Sequence, residues 1–150
     1  MKLKIPPPLI ALIFSVLMWG VSLLSNHAPL ESAVVVPLSV LIFLAGLAIN
    51  ISAAISFRKA NTTMNPRKPK KATNLVDTGV YNLSRNPMYL GLLFILIGWT
   101  IWLGSVFNIA ILLLFIWYIT IFQIVPEEKV LEVLFAEEFE SYRSKVRRWI

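Results

Sequence analysis

The sequence predicts an all-α integral membrane protein with four transmembrane helices, the last two a tight helical hairpin, followed by a C-terminal amphipathic helix. Three observations predict it. The 150 residues are 57% hydrophobic and 15% charged, whereas soluble domains carry about 25% charged residues. Apolar stretches at about 8–25, 34–57, 88–103 and 107–125 reach or approach the roughly 20 residues a helix needs to cross a bilayer core. All 14 Lys and Arg fall on one side of that four-span arrangement. Helices are the only fit, because hydrocarbon offers no partner to an unpaired backbone. The length allows a single domain over 1–150.

The elements follow in chain order. Lys2 and Lys4 precede the first apolar run, as in a signal peptide. The run is long, however, and no A-x-A-like cleavage site follows it, so it reads as a retained helix. After the second span comes a polar segment, 58–87, longer than the roughly 12–15 residues beyond which loops tend to be functional or disordered. Pro66, Pro69 and Gly79 break helix there, and Lys68, Lys70 and Lys71 hold it in water. Leu75-Val76, Val80-Tyr81 and Leu83 then restore apolar character, which predicts that the second half packs against the helix ends as a lid or pocket wall. The third span is short, and Gly104-Ser105 turns it tightly into the fourth. In the tail, 126–150, Pro126 suits a first helical position and Glu127 and Glu128 suit the positive dipole of a first turn. Val130, Leu131, Leu134, Phe135, Phe139, Tyr142 and Val146 recur close to helical spacing, with Lys145, Arg147 and Arg148 at the far end.

The charges orient the chain. Lys2 and Lys4, seven basic residues from Arg58 to Arg85, and five from Lys129 to Arg148 share one face, and the short loops 26–33 and 104–106 carry none. Positive-inside bias therefore places both termini in the cytoplasm. The net charge of +6 needs no nucleic acid, since the basic loop serves membrane retention and attraction to anionic lipid headgroups. With no Cys and one isolated His, His27, neither thiol chemistry nor a metal site is expected. Trp99, Trp102, Trp117 and Tyr118 read as lipid-facing or interhelical packing, Trp102 as an interface anchor.

Ionisable groups at a membrane boundary are costly and therefore functional candidates. Arg85 stands where the basic loop enters the third span, and Glu127 and Glu128 stand where the chain next returns to that face. Helix-start chemistry also accounts for the Glu pair.

Ordered blocks carry a resemblance. Thr62-Thr63-Met64-Asn65-Pro66, Leu75-Val76-Asp77-Thr78-Gly79-Val80-Tyr81, Arg85-Asn86-Pro87-Met88-Tyr89-Leu90-Gly91, and Glu127-Glu128 with Leu131, Phe135-Ala136-Glu137-Glu138-Phe139, Tyr142 and Val146 resemble the isoprenylcysteine carboxyl methyltransferase family. Phospholipid N-methyltransferases share the layout. The resemblance implies a membrane enzyme that moves a methyl group from S-adenosyl-L-methionine to a lipophilic acceptor, a prenylated carboxylate first and a phospholipid amine as the alternative. It implies cofactor contacts at Thr73, Asn74, Leu75, Val76, Tyr81, Asn86, Pro87, Met88, Tyr89 and Glu127. Arg85 would hold an acidic group of cofactor or acceptor, Glu128 would be the base for an amine acceptor, and Gln123 occupies a substrate-contact position. Asn86 stands where the prenylcysteine branch has His, and Gln123 where it has Arg. The Asn-Pro-Met-Tyr form looks more like bacterial members, which implies a bacterial or archaeal cytoplasmic membrane. Membrane lipids are the implied partners, without nucleic acid or metal.

Two rivals share parts of this pattern. Membrane sterol reductases, which use a nicotinamide cofactor, have a related block, but Leu92 and Met88 depart from it. A non-catalytic four-helix protein that binds lipid or a partner is the other.

Overall fold

A computed structural model describes residues 5–24, 33–60 and 74–150 of the chain. Its elements are α1 (Pro7–Leu24), α2 (Val35–Lys59), a 3₁₀ turn (Gly79–Asn82), α3 (Pro87–Leu103), α4 (Asn108–Ile119), a π-turn (Thr120–Ile124) and α5 (Val125–Lys145). Thr73, His27, Lys2, Lys4, the block 62–66 and the lysines of the basic loop beyond Lys59 lie outside the described residues.

Prolines and glycines set several boundaries. Pro7 and Pro87 open α1 and α3 at positions whose N–H would be orphaned anyway. Gly104, at φ 66°, ends α3 in the left-handed conformation that a side chain disfavours. Its N–H donates to Thr100 O at 3.1 Å and Ile101 O at 3.2 Å. Arg58 and Lys59 occupy the last turn of α2, where cations complement the helix dipole.

Three helices are long and apolar enough to cross a membrane, namely α1, α2 and the continuous stretch Asn108–Lys145, and α3 is a shorter apolar helix. Their outer faces are apolar too: Leu41 is 65% exposed, Ile51 60% and Leu113 63%. Hydrocarbon rather than water is the solvent that makes such a surface stable, so this is a membrane protein.

Inside, α1, α3 and α4 share a core of Ile10, Phe14, Met18, Tyr89, Leu96, Leu103, Phe115 and Ile119. Phe14 meets Phe115 edge to face at 5.3 Å, and Trp99 Nε1 donates to Ser15 O at 3.0 Å, tying α3 to α1. The α2–α3 contact is closer still. A Cβ placed on Gly46 would sit 2.6 Å from Gly91 O, and one on Gly91 would strike Asn50 Nδ2. Small residues let membrane helices approach until their backbones touch, which supplies dispersion energy that lipid cannot match.

Two features of the second half differ from the expectation. The fourth apolar stretch and the tail do not part at Pro126. Pro126 has no N–H, and its ring crowds the carbonyl four residues back. The helix accommodates it by widening: Val125 N–H donates to Thr120 O, five residues back, and the helix runs on into α5. The extra residue in that turn rotates everything after it by about 100°. The tail is also not one straight amphipathic helix. Ala136 (φ 33°, ψ −106°) breaks it. Arg143 Nη1 consequently reaches Glu132 Oε1 at 2.7 Å, although eleven residues of straight helix would separate their backbones by about 16 Å. The fold turns Phe139 and Tyr142 inward onto Ala53, Val76 and Tyr81, making a second core at the basic end of the bundle.

The glycine contact predicts a contrast. Gly91→Leu should abolish the monodisperse detergent-solubilised protein in size-exclusion chromatography. Gly20→Leu, at a position where an added Cβ meets nothing among the described residues within 4 Å, should leave the elution profile unchanged.

Candidate active site

The site forms where four segments meet at the basic end: the turn before α3, the first turn of α3, the first turn of α5, and the residues after α5. Gly79, at φ 66°, turns the chain into the 3₁₀ segment that presents Tyr81. The Tyr81 ring stands edge-on to Phe57, with centroids 5.5 Å apart, and Tyr142 OH donates to Tyr81 O at 2.7 Å. Ser84 Oγ accepts from Asn86 N–H at 3.1 Å, which shapes the entry to Pro87.

Two carboxylates enter from α5 and meet different partners. Tyr89 OH donates to Glu127 Oε1 at 2.7 Å. Burial raises the Glu127 carboxyl to about 7; the Tyr89 hydrogen bond pulls the other way, and neighbouring Glu128 adds to the rise. Burial, then the charges of Tyr142 and Glu127, push the Tyr81 phenol well above its ordinary range, so it stays protonated. Glu127 thus carries a carboxyl that changes charge near neutrality and is held by the Tyr89 hydroxyl.

Glu128 is buried and doubly paired. Arg148 grips it with two bonds, Nε to Oε1 at 3.1 Å and Nη2 to Oε2 at 2.7 Å. Arg85 Nη2 lies 3.2 Å from Oε1. One carboxylate therefore faces two guanidiniums, leaving a local excess of positive charge. The Arg85 side chain is only 8% exposed and lies 6.0 Å over the Phe139 ring, yet its Nε and Nη1 have no hydrogen-bond partner among the described residues. Leaving a buried donor unmet costs about 1–3 kcal/mol, more for a charged group, and an oxyanion placed there would satisfy both atoms.

The residues after α5 close the arrangement. Val146 is extended (φ −120°, ψ 132°), and the chain folds back across the entry to α3. Arg85 N–H donates to Arg147 O at 3.0 Å, and Ser84 Oγ and Asn86 Nδ2 donate to Arg148 O at 3.3 and 3.0 Å. Trp149 Nε1 donates to Thr120 Oγ1 at 3.3 Å, pinning this strap to the π-turn.

Among the residues expected from sequence, Arg85, Tyr89, Glu127 and Glu128 make direct contacts in this cluster, and Tyr81 borders it. Asn86 is held by the strap. Pro87 is buried as the start of α3, and Val76 and Met88 belong to the second core. Asn74 is exposed and donates to Ala60 O at 3.0 Å. Leu75 lines a cleft of about 470 Å³ with Asp77, Glu137, Glu138 and Tyr142, and Tyr142 links that cleft to Tyr81. Gln123 is buried in the π-turn, its Nε2 donating to Ile5 O at 3.2 Å. Sequence reasoning missed Arg148 and Trp149, because helical spacing carried the tail to its end as one helix. The signal available was the change from amphipathic repeat to Arg147-Arg148-Trp149.

Because Arg148 neutralises Glu128, Arg148→Ala should lower the thermal midpoint of the solubilised protein by several degrees. Arg148→Lys, which keeps the charge without the two-bond grip, should recover only part of it, as a fluorescence melting curve would read.

Comparison with known proteins adds the family. Residues 34–138 match the model of the phospholipid methyltransferase family. A protein of uncharacterised function from Haemophilus influenzae is 48% identical over 63 residues, which cover 42% of this chain and all of that protein. The protein-S-isoprenylcysteine O-methyltransferase of Saccharomyces cerevisiae is 37% identical over 81 residues, covering 53% of this chain and 34% of the yeast protein. No solved structure matches. The family match includes α2, α3, α4 and most of α5, and with them Arg85, Tyr89, Glu127 and Glu128, so this membrane protein belongs to the phospholipid methyltransferase family.

Proposed function

We propose that the chain, as one domain over 1–150, is an S-adenosylmethionine-dependent methyltransferase acting on a lipophilic acceptor at the basic end of its helix bundle. The observation that carries this reading is the pairing of Tyr89 with a Glu127 carboxyl poised near neutrality, beside a buried Arg85 with unmet donors. S-adenosylmethionine is at once a cation and a carboxylate, and the cluster offers a group for each. Glu127 would face the sulfonium, the Tyr81 and Tyr89 rings would wall it, and Arg85 would bind an oxyanion by charge-assisted hydrogen bonds.

When bound, the cofactor supplies an electrophilic methyl group. The protein's own contribution is placement and exclusion of water. Tyr89 fixes Glu127 in one orientation. The strap holds Asn86 and the backbone of Arg85, and Glu128 with Arg148 fixes the Arg85 guanidinium. Held by two guanidiniums, Glu128 is poorly placed as a base, and Glu127 is the better candidate for receiving a proton.

The acceptor has two readings. A carboxylate, as in the yeast relative's prenylcysteine substrate, is supported by the unmet N–H groups of Arg85 and would need no base. A phospholipid amine is supported by the family match and by Glu127, which would take the proton that an ammonium must lose before it can attack. The basic residues at this end support a cytoplasmic placement of the site and of both termini.

Three measurements test these points. Calorimetric titration of the solubilised protein with S-adenosylhomocysteine should show saturable binding, with a nicotinamide dinucleotide as the silent control; absence of binding by folded protein would overturn the methyltransferase reading. Affinity for S-adenosylmethionine should rise between about pH 6 and 8 as Glu127, raised to about 7, loses its proton and can attract the sulfonium. Affinity for the uncharged thioether S-adenosylhomocysteine should change less. Glu127→Gln should flatten the difference and weaken S-adenosylmethionine binding about tenfold, the effect of losing one charge-assisted contact. In this cysteine-free chain, a cysteine in loop 26–33 should label from outside intact cells and one at Lys59 should not.

A further inference from the structure

Arg85 and Arg148 share one carboxylate unequally. Arg148 takes both Glu128 oxygens, Nε to Oε1 at 3.1 Å and Nη2 to Oε2 at 2.7 Å. Arg85 keeps a single ion-pair contact, Nη2 at 3.2 Å from Oε1. Its Nε and Nη1 are left without a hydrogen-bond partner among the described residues and are shut off from solvent. A carboxylate grips a guanidinium most strongly through two parallel bonds. With Arg148 withdrawn, both Glu128 oxygens would be open to the Arg85 fork, and the buried carboxylate would still be paired. The closed strap therefore creates the unmet donors of Arg85.

The two arginines are also anchored differently. Arg85 follows the fully buried Ser84 and stands two residues before the fully buried Pro87. Arg148 stands on the strap, beyond Phe139 and Tyr142, whose burial holds α5 in the second core. The strap is tied mainly by hydrogen bonds: Arg85 N–H to Arg147 O, Ser84 Oγ and Asn86 Nδ2 to Arg148 O, and Trp149 Nε1 to Thr120 Oγ1. Trp149 adds a partly buried contact with the first core, and Ile150 is exposed. Segments with few buried apolar contacts open at the lowest cost, so the strap can lift while Phe139 and Tyr142 stay packed. It lies outside the family match, which ends at residue 138.

We propose that Arg148 is a positioning residue on a ligand-linked strap. The strap lifts to admit an oxyanion to Arg85, then closes as Arg148 takes Glu128 and leaves Arg85 Nε and Nη1 to the anion. Such coupling is reciprocal: the bound oxyanion holds the strap shut, and the shut strap holds the oxyanion. The proposal deepens the methyltransferase reading of this site and rests on it only for the oxyanion's source, the cofactor's carboxylate or a lipid-borne phosphate.

The Arg85 amide reports on the strap directly, because its N–H bonds to Arg147 O. Its hydrogen–deuterium exchange can be followed by NMR on ¹⁵N-labelled wild-type protein in dodecyl maltoside, an uncharged detergent. Saturating S-adenosylhomocysteine or dodecyl phosphate should slow that exchange about tenfold or more, since exchange by local opening follows the open population. Methylthioadenosine, a nucleoside thioether without the carboxylate, should not. A strap that merely braces the fold would show the same exchange with and without the anion. Exchange that neither anion slows, or that methylthioadenosine slows equally, overturns the proposal without any variant. A response to S-adenosylhomocysteine supports it with the cofactor's carboxylate on Arg85, and a response to dodecyl phosphate alone supports it with a lipid phosphate there. If S-adenosylhomocysteine also fails to bind in that second case, the methyltransferase reading falls while the strap proposal stands. Arg148→Gln should speed the ligand-free exchange and abolish the response to either anion. A folded Arg148→Gln protein that keeps the wild-type response overturns the proposal as well.

Discussion

A single buried carboxylate, Glu128, organises the basic end of this molecule. An ion at that depth is tolerable only when paired, and its partners come from opposite ends of the functional region: Arg85 from the entry to α3 and Arg148 from the strap after α5. Satisfying Glu128 therefore fixes both at once. With Arg148 in place, its carbonyl lies within reach of Ser84 and Asn86, and Trp149 reaches Thr120. With Arg85 in place, one edge of its guanidinium is taken and the remainder is left open. The ion triad thus acts as a positioning device, and its charge excess is available to an anionic ligand.

Pro126 imposes a second constraint. A helix passing through it must widen, and the π-turn that results changes the phase of everything downstream. Glu127 and Glu128, neighbours in sequence, already point about 100° apart around the helix, and that phase sets which partners they meet: Tyr89 on α3, and the Arg85–Arg148 pair. Wide turns of this kind are local defects in hydrogen bonding, and here the defect also carries Gln123. The bend at Ala136 does comparable work further on, returning Phe139 and Tyr142 to the loop that presents Tyr81. A straight helix would carry both residues away from that loop.

The family and the geometry support each other from independent sides. The match over residues 34–138 makes methyl transfer the natural chemistry, but it does not say which side chains meet. The structure brings together Tyr89, Glu127, Arg85 and Glu128 without indicating any particular ligand. Under the proposed function the carboxylates take separate tasks, Glu127 for a cation and for a proton, while Glu128 holds the arginines. Sequence adjacency alone offered no basis for that division, since both residues are equally good helix-start acids.

The sequence by itself determined the helical membrane class, the apolar stretches, the turn at Gly104 and the candidates Arg85, Tyr89 and the Glu pair. These are local or compositional matters: hydrocarbon forces helices, apolar runs set their length, and a glycine permits a left-handed residue. Only the tertiary structure decided that Pro126 widens a helix instead of ending it, that the tail folds at Ala136, and that Arg148 returns to Glu128. Each of those outcomes depends on energies between residues far apart in the chain, such as a buried charge finding two partners or an aromatic pair finding a core. Hydrophobic periodicity records which residues seek burial. It does not record which neighbour will bury them.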